Sequence, residues 1–207
     1  PQDSDEFNGA TIGRQWQWQA NAKAEWAFPF PERGVLRMNS VQLPDGYKNL
    51  LDLPNILLQK FPAEEFSAIA KIKLKTRFDG EKFGLLVMGH DYSYISVTNR
   101  GGKLYIAQSV GKDAEKGSVE TESTSQVLSS DEFYLRVAVQ AGAICNFSYS
   151  MDGNMFKSIG EPFKAREGRW IGAKVGFFFI RPGKFNDAGS VDIDWFRFNR
   201  IQMEIMN

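Results

Sequence analysis

Asp192 and Asp194 alternate with Val191, Ile193 and Trp195, so both carboxylates project from one face of an extended strand. Hydrolysis of a glycosidic bond uses a pair of carboxyl groups flanking the scissile bond. With 25 acidic residues in the chain, spacing alone nominates none, and this pair is the most suggestive. The plainer reading is a polar outer face on a strand near the C-terminus. The single histidine, His90, excludes any centre that needs two imidazoles, such as a His-Glu-x-x-His zinc site. A Ser-His-Asp triad would need a nucleophile elbow, and no Gly-x-Ser-x-Gly string occurs. His90, next to Asp91, reads as a loop or strand-end residue. Phosphate-binding glycine loops of the Walker or dinucleotide type are absent. Calcium is the one cation the acids suggest, because it takes clustered carboxylate and carbonyl oxygens. Asp5 and Glu6 would join Asp192 and Asp194 in such a cluster if the first and last strands pair; solvated acids are the alternative.

Aromatic residues make up 14% of the chain and point to binding more than to catalysis. In Gln15-Trp16-Gln17-Trp18-Gln19 the two indoles share one strand face and the amides the other, and Trp26 follows closely. Tyr92 and Tyr94 share another face, with Tyr105 on the expected partner strand. Flat rings on a sheet stack against sugar C–H bonds while amides reach the hydroxyls. The same rings would serve equally as core, and Trp16 and Trp18 lean that way.

Period-two patterning supplies the elements that would hold these side chains. Ala68, Ala70, Ile72 and Leu74 alternate with Lys71, Lys73 and Lys75, a half-buried strand with a wet outer face. Phe133, Leu135, Val137 and Val139 repeat the pattern. Lys174 to Ile180 is apolar on both faces and reads as a central strand. Asn99-Arg100-Gly101-Gly102 and Asp152-Gly153 separate strand pairs as hairpin turns, and Asp79-Gly80 is a third turn. Gly111 to Ser130 is polar and reads as a long loop or ragged edge hairpin. No helical stripe with caps is present. Many short strands with turn signals predict an antiparallel β-sandwich or jelly roll over residues 1–200, with 201–207 a terminal edge strand or tail.

Lys plus Arg equals Asp plus Glu at 25 each, which argues against nucleic acid and against an acidic membrane surface. No apolar run approaches the roughly 20 residues of a membrane span. Cys145, the only cysteine, lies in an apolar stretch and reads as a buried thiol. The start at Pro1, with no visible signal peptide, is expected of a processed chain or a fragment of a longer one.

Several strings together resemble one family. Asp5-Glu6-Phe7-Asn8-Gly9 followed by Gln15-Trp16-Gln17-Trp18 is similar to the opening of the concanavalin A-like C-terminal domain of family 43 β-xylosidases and arabinofuranosidases. Gln19-Ala20-Asn21, Asn55 to Lys60 and Gly84 to Met88 resemble later family segments. Phe147 to Gly153, Gly160-Glu161-Pro162-Phe163, Trp170 to Gly176 and Asp192 to Phe196 follow in the family's order. The likeness covers nearly the whole chain and departs from the family pattern at Ala20, Leu58 and Lys60.

The resemblance implies an all-β, concanavalin A-like jelly roll with no catalytic residues of its own. It also implies a partner, a separate five-bladed propeller that carries family 43 catalysis. On that expectation Trp16, Trp18, Asn21, Trp26, Gln59, Tyr92 and Tyr94 make interdomain contacts or bind an oligosaccharide derived from xylan or arabinan. A periplasmic or secreted location is expected with it. Two other readings stand beside it. One is a free-standing carbohydrate-binding module. The other is a complete small concanavalin A-like hydrolase, for which the expected Glu-x-Asp-x-x-Glu string is missing.

Overall fold

A computed structural model describes residues 3–166, 172–184 and 186–201. In chain order the strands begin with β1 (Gln17–Trp18), β2 (Ala27–Phe30), β3 (Val35–Asn39), β4 (Val41–Gln42), β5 (Leu57–Lys60) and β6 (Phe66–Lys75). They continue with β7 (Lys82–Met88), β8 (Tyr92–Arg100), β9 (Lys103–Gly111), β10 (Thr121–Glu122), β11 (Gln126–Val127) and β12 (Glu132–Gln140). The last are β13 (Ile144–Ser150), β14 (Lys157–Ser158), β15 (Phe163–Lys164), β16 (Lys174–Arg181) and β17 (Ser190–Asn199). Two sheets face each other. The first runs β1-β5-β16-β7-β8-β9-β10, with β11 also on β9 and β4 lying parallel to β16. The second runs β14-β13-β12-β6-β17-β3-β2, with β15 on β13. The concanavalin A-like sandwich expected from the sequence is therefore the observed fold.

Alternation sets which side chains enter the core. From β6, Phe66, Ala68, Ala70, Ile72 and Leu74 face inward, joined by Phe133, Leu135, Val137 and Val139 of β12. Across the gap they meet Phe83, Leu85, Ile95, Val97, Phe177 and Phe179 of the first sheet. Burying each Val, Leu, Ile or Phe side chain among these contributes about 1.5–3 kcal/mol. Lys174 to Ile180 is a central strand as expected, with β5 and β7 on either side. Gly176 lets β5 approach: a Cβ there would sit 2.8 Å from Leu58 Cα and closer still to the Leu57 carbonyl oxygen. Gly172, in the same family-like string, has nothing within 4 Å of the place a Cβ would take.

The turns follow glycine's access to positive φ. Arg100 pairs with Lys103, leaving Gly101 and Gly102 at φ +59° and +81° as a two-residue hairpin loop. Gly80 and Gly153 also adopt positive φ. The β12–β13 hairpin was not read from the sequence; it turns at Gly142 and Ala143, with Ala143 at φ +59°. The polar stretch 111–130 is a long loop followed by a ragged edge, as expected, and it folds back antiparallel onto β9. Its strands β10 and β11 both pair with β9, as one interrupted edge strand. Beyond β17, Ile201 is not in a strand, and 202–207 lie outside the described residues, as do Trp170 and Ile171 of the family-like string.

Gly176→Ala is expected to cost at least about 2 kcal/mol by overpacking against β5. Gly9→Ala, whose Cβ would meet nothing nearer than 3.6 Å, stays within about 0.5 kcal/mol of the parent. Denaturant unfolding of both variants checks the contrast.

Candidate functional site

Antiparallel sheets commonly leave one face to solvent, but the outer face of the first sheet here is covered. Leu58, Leu86, Met88, Tyr92, Tyr94, Phe178 and Ile180 point outward from it into a second apolar cluster. The cover is the segment between β4 and β5, whose Leu50, Leu53 and Ile56 complete that cluster, together with Ala114. Polar contacts fix the cover in place. Asn49 caps a 3-10 turn at Leu50–Asp52 and donates from Nδ2 to the Ala114 carbonyl at 2.9 Å. The Leu50 N–H donates to the Tyr92 hydroxyl at 3.1 Å.

Tyr92 and Tyr94 are therefore core residues, at 0% and 1% exposure, and are not a surface for sugar stacking. Their rings stack at 6.2 Å, and both hydroxyls donate to one carboxylate, Glu120, at 2.5 and 2.6 Å. Burial, and then the charge of Glu120, hold the hydroxyls of Tyr47, Tyr92 and Tyr94 protonated well above the usual phenol range.

The tryptophan strip is also structural. Trp16 packs among Phe7, Phe177 and Phe196, with ring centroids 5.4–6.0 Å away, and its indole N–H donates to Asp5 Oδ2 at 2.9 Å. Trp26 is buried, and the half-buried Trp18 lies 5.4 Å from it. Gln59 is buried between the sheets, and its Nε2 has no hydrogen-bond partner among the described residues. Of the seven expected contact residues, Asn21 alone is exposed.

The four acids expected to hold calcium do not converge. The first and last segments do meet, through reciprocal Asp5–Phe196 backbone hydrogen bonds of 2.8 Å. Asp5, however, accepts from Phe7 N, Gln15 Nε2 and Trp16 Nε1. Glu6 is held by both donors of the Arg197 fork at 2.7 and 2.8 Å, which lower its pKa. Asp192 is gripped the same way by Arg37, and Asp194 pairs with Lys71 at 2.6 Å. Each carboxylate thus has its own partner. Among the described residues, no three His, Cys, Asp or Glu side chains gather where a metal could bind. The pair Asp192 and Asp194 takes the plainer of its two readings, a polar outer strand face.

His90 sits in the β7–β8 turn, with Nδ1 3.3 Å from Glu115. Beside it, the Arg166 guanidinium holds the Asp91 carboxyl below its usual range, against the opposing effect of burial. Cys145 is fully buried, and burial pushes its thiol pKa up to about 12, the environment of an unreactive core thiol.

Two acids that organise the structure gave no signal in the sequence. Glu120 lies in the polar stretch after β9. Glu81, at 0% exposure, accepts from Ser40 Oγ and from the backbone N–H groups of Arg77, Phe78 and Gly189 at 2.5–3.0 Å. Its neighbour in sequence, Gly80, marks the turn, but nothing local marks the carboxylate as buried.

The outer face of the second sheet has a different character. There Arg37, Lys71, Lys73 and Lys75 line an open groove with Phe28 at its edge.

Residues 4–199 match the family model described as the β-xylosidase C-terminal concanavalin A-like domain. A curated β-xylosidase of Formosa agariphila is 24% identical over 96% of this chain, which spans about a third (35%) of that relative's length. Among solved structures, a bifunctional GH43-CE protein of Bacteroides eggerthii superposes with a TM-score of 0.84 at 21% identity, covering 96% of this chain and 26% of its own. The GH43 protein BlXynB of Bacillus licheniformis superposes at 0.80 with 18% identity, covering 96% and 39%.

Two measurements check the assignment of these rings to the interior. Tyr92 and Tyr94 have raised pKa values in the folded state, so their contribution is intact below the ordinary tyrosine value of 10.0 and lost as pH rises beyond it. In an ultraviolet alkaline titration they should ionise only in the cooperative unfolding step, identified by Tyr→Phe variants; separate ionisation near pH 10 would contradict their burial. Trp16→Ala should cost about 3–5 kcal/mol of stability, whereas Asn21→Ala at the surface should stay within about 0.5 kcal/mol.

Proposed function

Since the chain belongs to the family of β-xylosidase C-terminal concanavalin A-like domains, we propose that it is the non-catalytic accessory domain of a xylan- or arabinan-type glycoside hydrolase. It packs on a separate five-bladed propeller that carries the catalytic acids, and it helps shape the substrate site there. The observation that carries this reading is the family match over 4–199, in a chain that spans 26–39% of the solved relatives described above.

The burial of the aromatic residues supports bracing over sugar capture. Trp16, Trp26, Tyr92 and Tyr94 are 7%, 5%, 0% and 1% exposed, so a free-standing carbohydrate-binding module would lack its stacking platform at those positions. Exposed apolar side chains supply contact surface of the kind a partner domain covers. Val127 on β11 and Met151 and Met155 in the β13–β14 turn are 58%, 38% and 76% exposed. The hydrogen bond from the Tyr149 hydroxyl to Gln126 Oε1, 2.8 Å long, links the two segments that carry them. We assign this edge to the propeller contact. A periplasmic or secreted location fits a substrate that is an extracellular polymer.

Co-expression with the cognate propeller tests the proposal. The two should co-purify, and removal of the sandwich from the full-length enzyme should lower its thermal midpoint and its turnover. Val127→Asp with Met155→Asp should weaken co-purification without unfolding the sandwich. Unchanged stability and turnover after deletion would sink the proposal.

A further inference from the structure

The groove on the outer face of the second sheet encloses about 740 Å³, a volume typical of small-ligand sites. Its floor is four adjacent strands, β6, β17, β3 and β2. Register places the outward side chains in rows. One row runs Lys73, Asp192, Arg37, Phe28. The next runs Lys75, Ser190, Asn39.

Charge is unevenly distributed here. The whole chain balances 25 cations against 25 acids, yet the groove is lined by six cationic side chains and three carboxylates. All three carboxylates are engaged: Asp192 by Arg37, Asp194 by Lys71 and Glu132 by Lys73. Arg77 pairs with Asp187 just outside. Among the described residues, Arg33 and Lys75 have no carboxylate partner. Arg33 and Arg37 both lie over the Phe30 ring, at 5.3 and 5.5 Å, which restrains their guanidinium planes. Arg37 uses Nε and one terminal nitrogen on Asp192, and its second terminal nitrogen has no described partner. Phe28, 37% exposed, offers an aromatic face beside this set.

We propose that this groove binds an oligosaccharide carrying a uronate group. Arg33 and the free edge of Arg37, gathered over the Phe30 ring, take the carboxylate through charge-assisted hydrogen bonds, and Lys75, one row along the strands, adds positive charge to the groove. Ser190 and Asn39, in the same row as Lys75, meet ring hydroxyls, and Phe28 stacks against a sugar face. A neutral saccharide would desolvate Lys75 and Arg33 and return no charge to them, so the site selects against it. The saccharide class rests on the function proposed above; the requirement for an anion is independent of it.

Calorimetric titration of the protein decides, with three probes: a xylo-oligosaccharide bearing a glucuronic acid side group, its neutral parent, and an acidic peptide. The acidic oligosaccharide should bind, more weakly as salt rises, and the other two should give no heat at millimolar concentration. Arg33→Gln with Lys75→Gln should weaken binding by roughly tenfold or more, and Phe28→Ala should weaken it too. Circular dichroism and thermal melts confirm that the variants remain folded, since all three side chains are surface groups. Equal binding of the neutral parent, equal binding of the acidic peptide, no binding of the acidic oligosaccharide, or unchanged affinity in the folded double variant would each overturn the proposal. Propeller co-purification is scored separately on the same double variant. Retained pairing without uronate binding refutes the groove alone, and lost pairing in the parent protein refutes the accessory role.

Discussion

Strand β16 is buried on both faces, and most of the structure follows from that. Phe177 and Phe179 point between the sheets, while Phe178 points away from them. A phenylalanine on the outer face of a sheet needs its own cover, and the segment from Leu43 to Ile56 provides it. The same cover extends over β7 beside it and β8 beyond, which are buried along nearly their whole lengths. The cover must satisfy its own backbone, and it does so through Asn49, Ala114 and the Tyr92 hydroxyl. Glu120 then accepts from both tyrosines and draws the edge segment after β9 onto the same face. The outer face of the second sheet, where Lys71, Lys73, Lys75 and Arg37 project, keeps its groove open.

Long-range polar contacts hold the ends of this arrangement. The N-terminal segment reaches β17 through the Asp5–Phe196 backbone pair, and Trp16 locks it down by filling the space between Phe177 and Phe196. Glu81 ties the β6–β7 turn to Ser40 and Gly189, at the ends of β3 and β17. A buried carboxylate is costly unless hydrogen-bonded, and Glu81 meets that condition with backbone N–H groups and one hydroxyl. The Arg181 guanidinium reaches the Ser40 carbonyl at the same corner. At this corner the β3–β4, β6–β7 and β16–β17 connections all cross from one sheet to the other, and Glu81 joins the three.

The strands and hairpins were legible because they are local. Alternation in β6 and β12 needs only neighbouring residues, and Gly101-Gly102 signals a turn by its own chemistry. The side of the sheet on which Tyr92 and Tyr94 lie was not legible, since a ring aimed at solvent and a ring aimed at a covering loop have the same alternation. That distinction depends on Leu50 and Ile56, which are separated from β8 by three strands in sequence. Glu120 and Glu81 were missed for the same reason: both tyrosines that donate to Glu120 lie 26 and 28 residues away, and Ser40 and Gly189 lie 41 and 108 residues from Glu81. The carboxylates near the ends were legible as outward-facing, but their cationic partners were not. Asp192 finds Arg37, 155 residues distant, by strand register alone.

The family resemblance and the physical reading converge on a sandwich whose aromatic residues are mostly internal. Hydrogen–deuterium exchange reports on whether the outer face of the first sheet is covered. Amides of β7, β8 and β16 should exchange only by global unfolding, and those around Leu50 to Ile56 should share much of that protection. Rapid exchange at Leu50 to Ile56, with β8 opening alongside it while β6 and β12 stay protected, would mean that the cover does not close this face and would contradict the account.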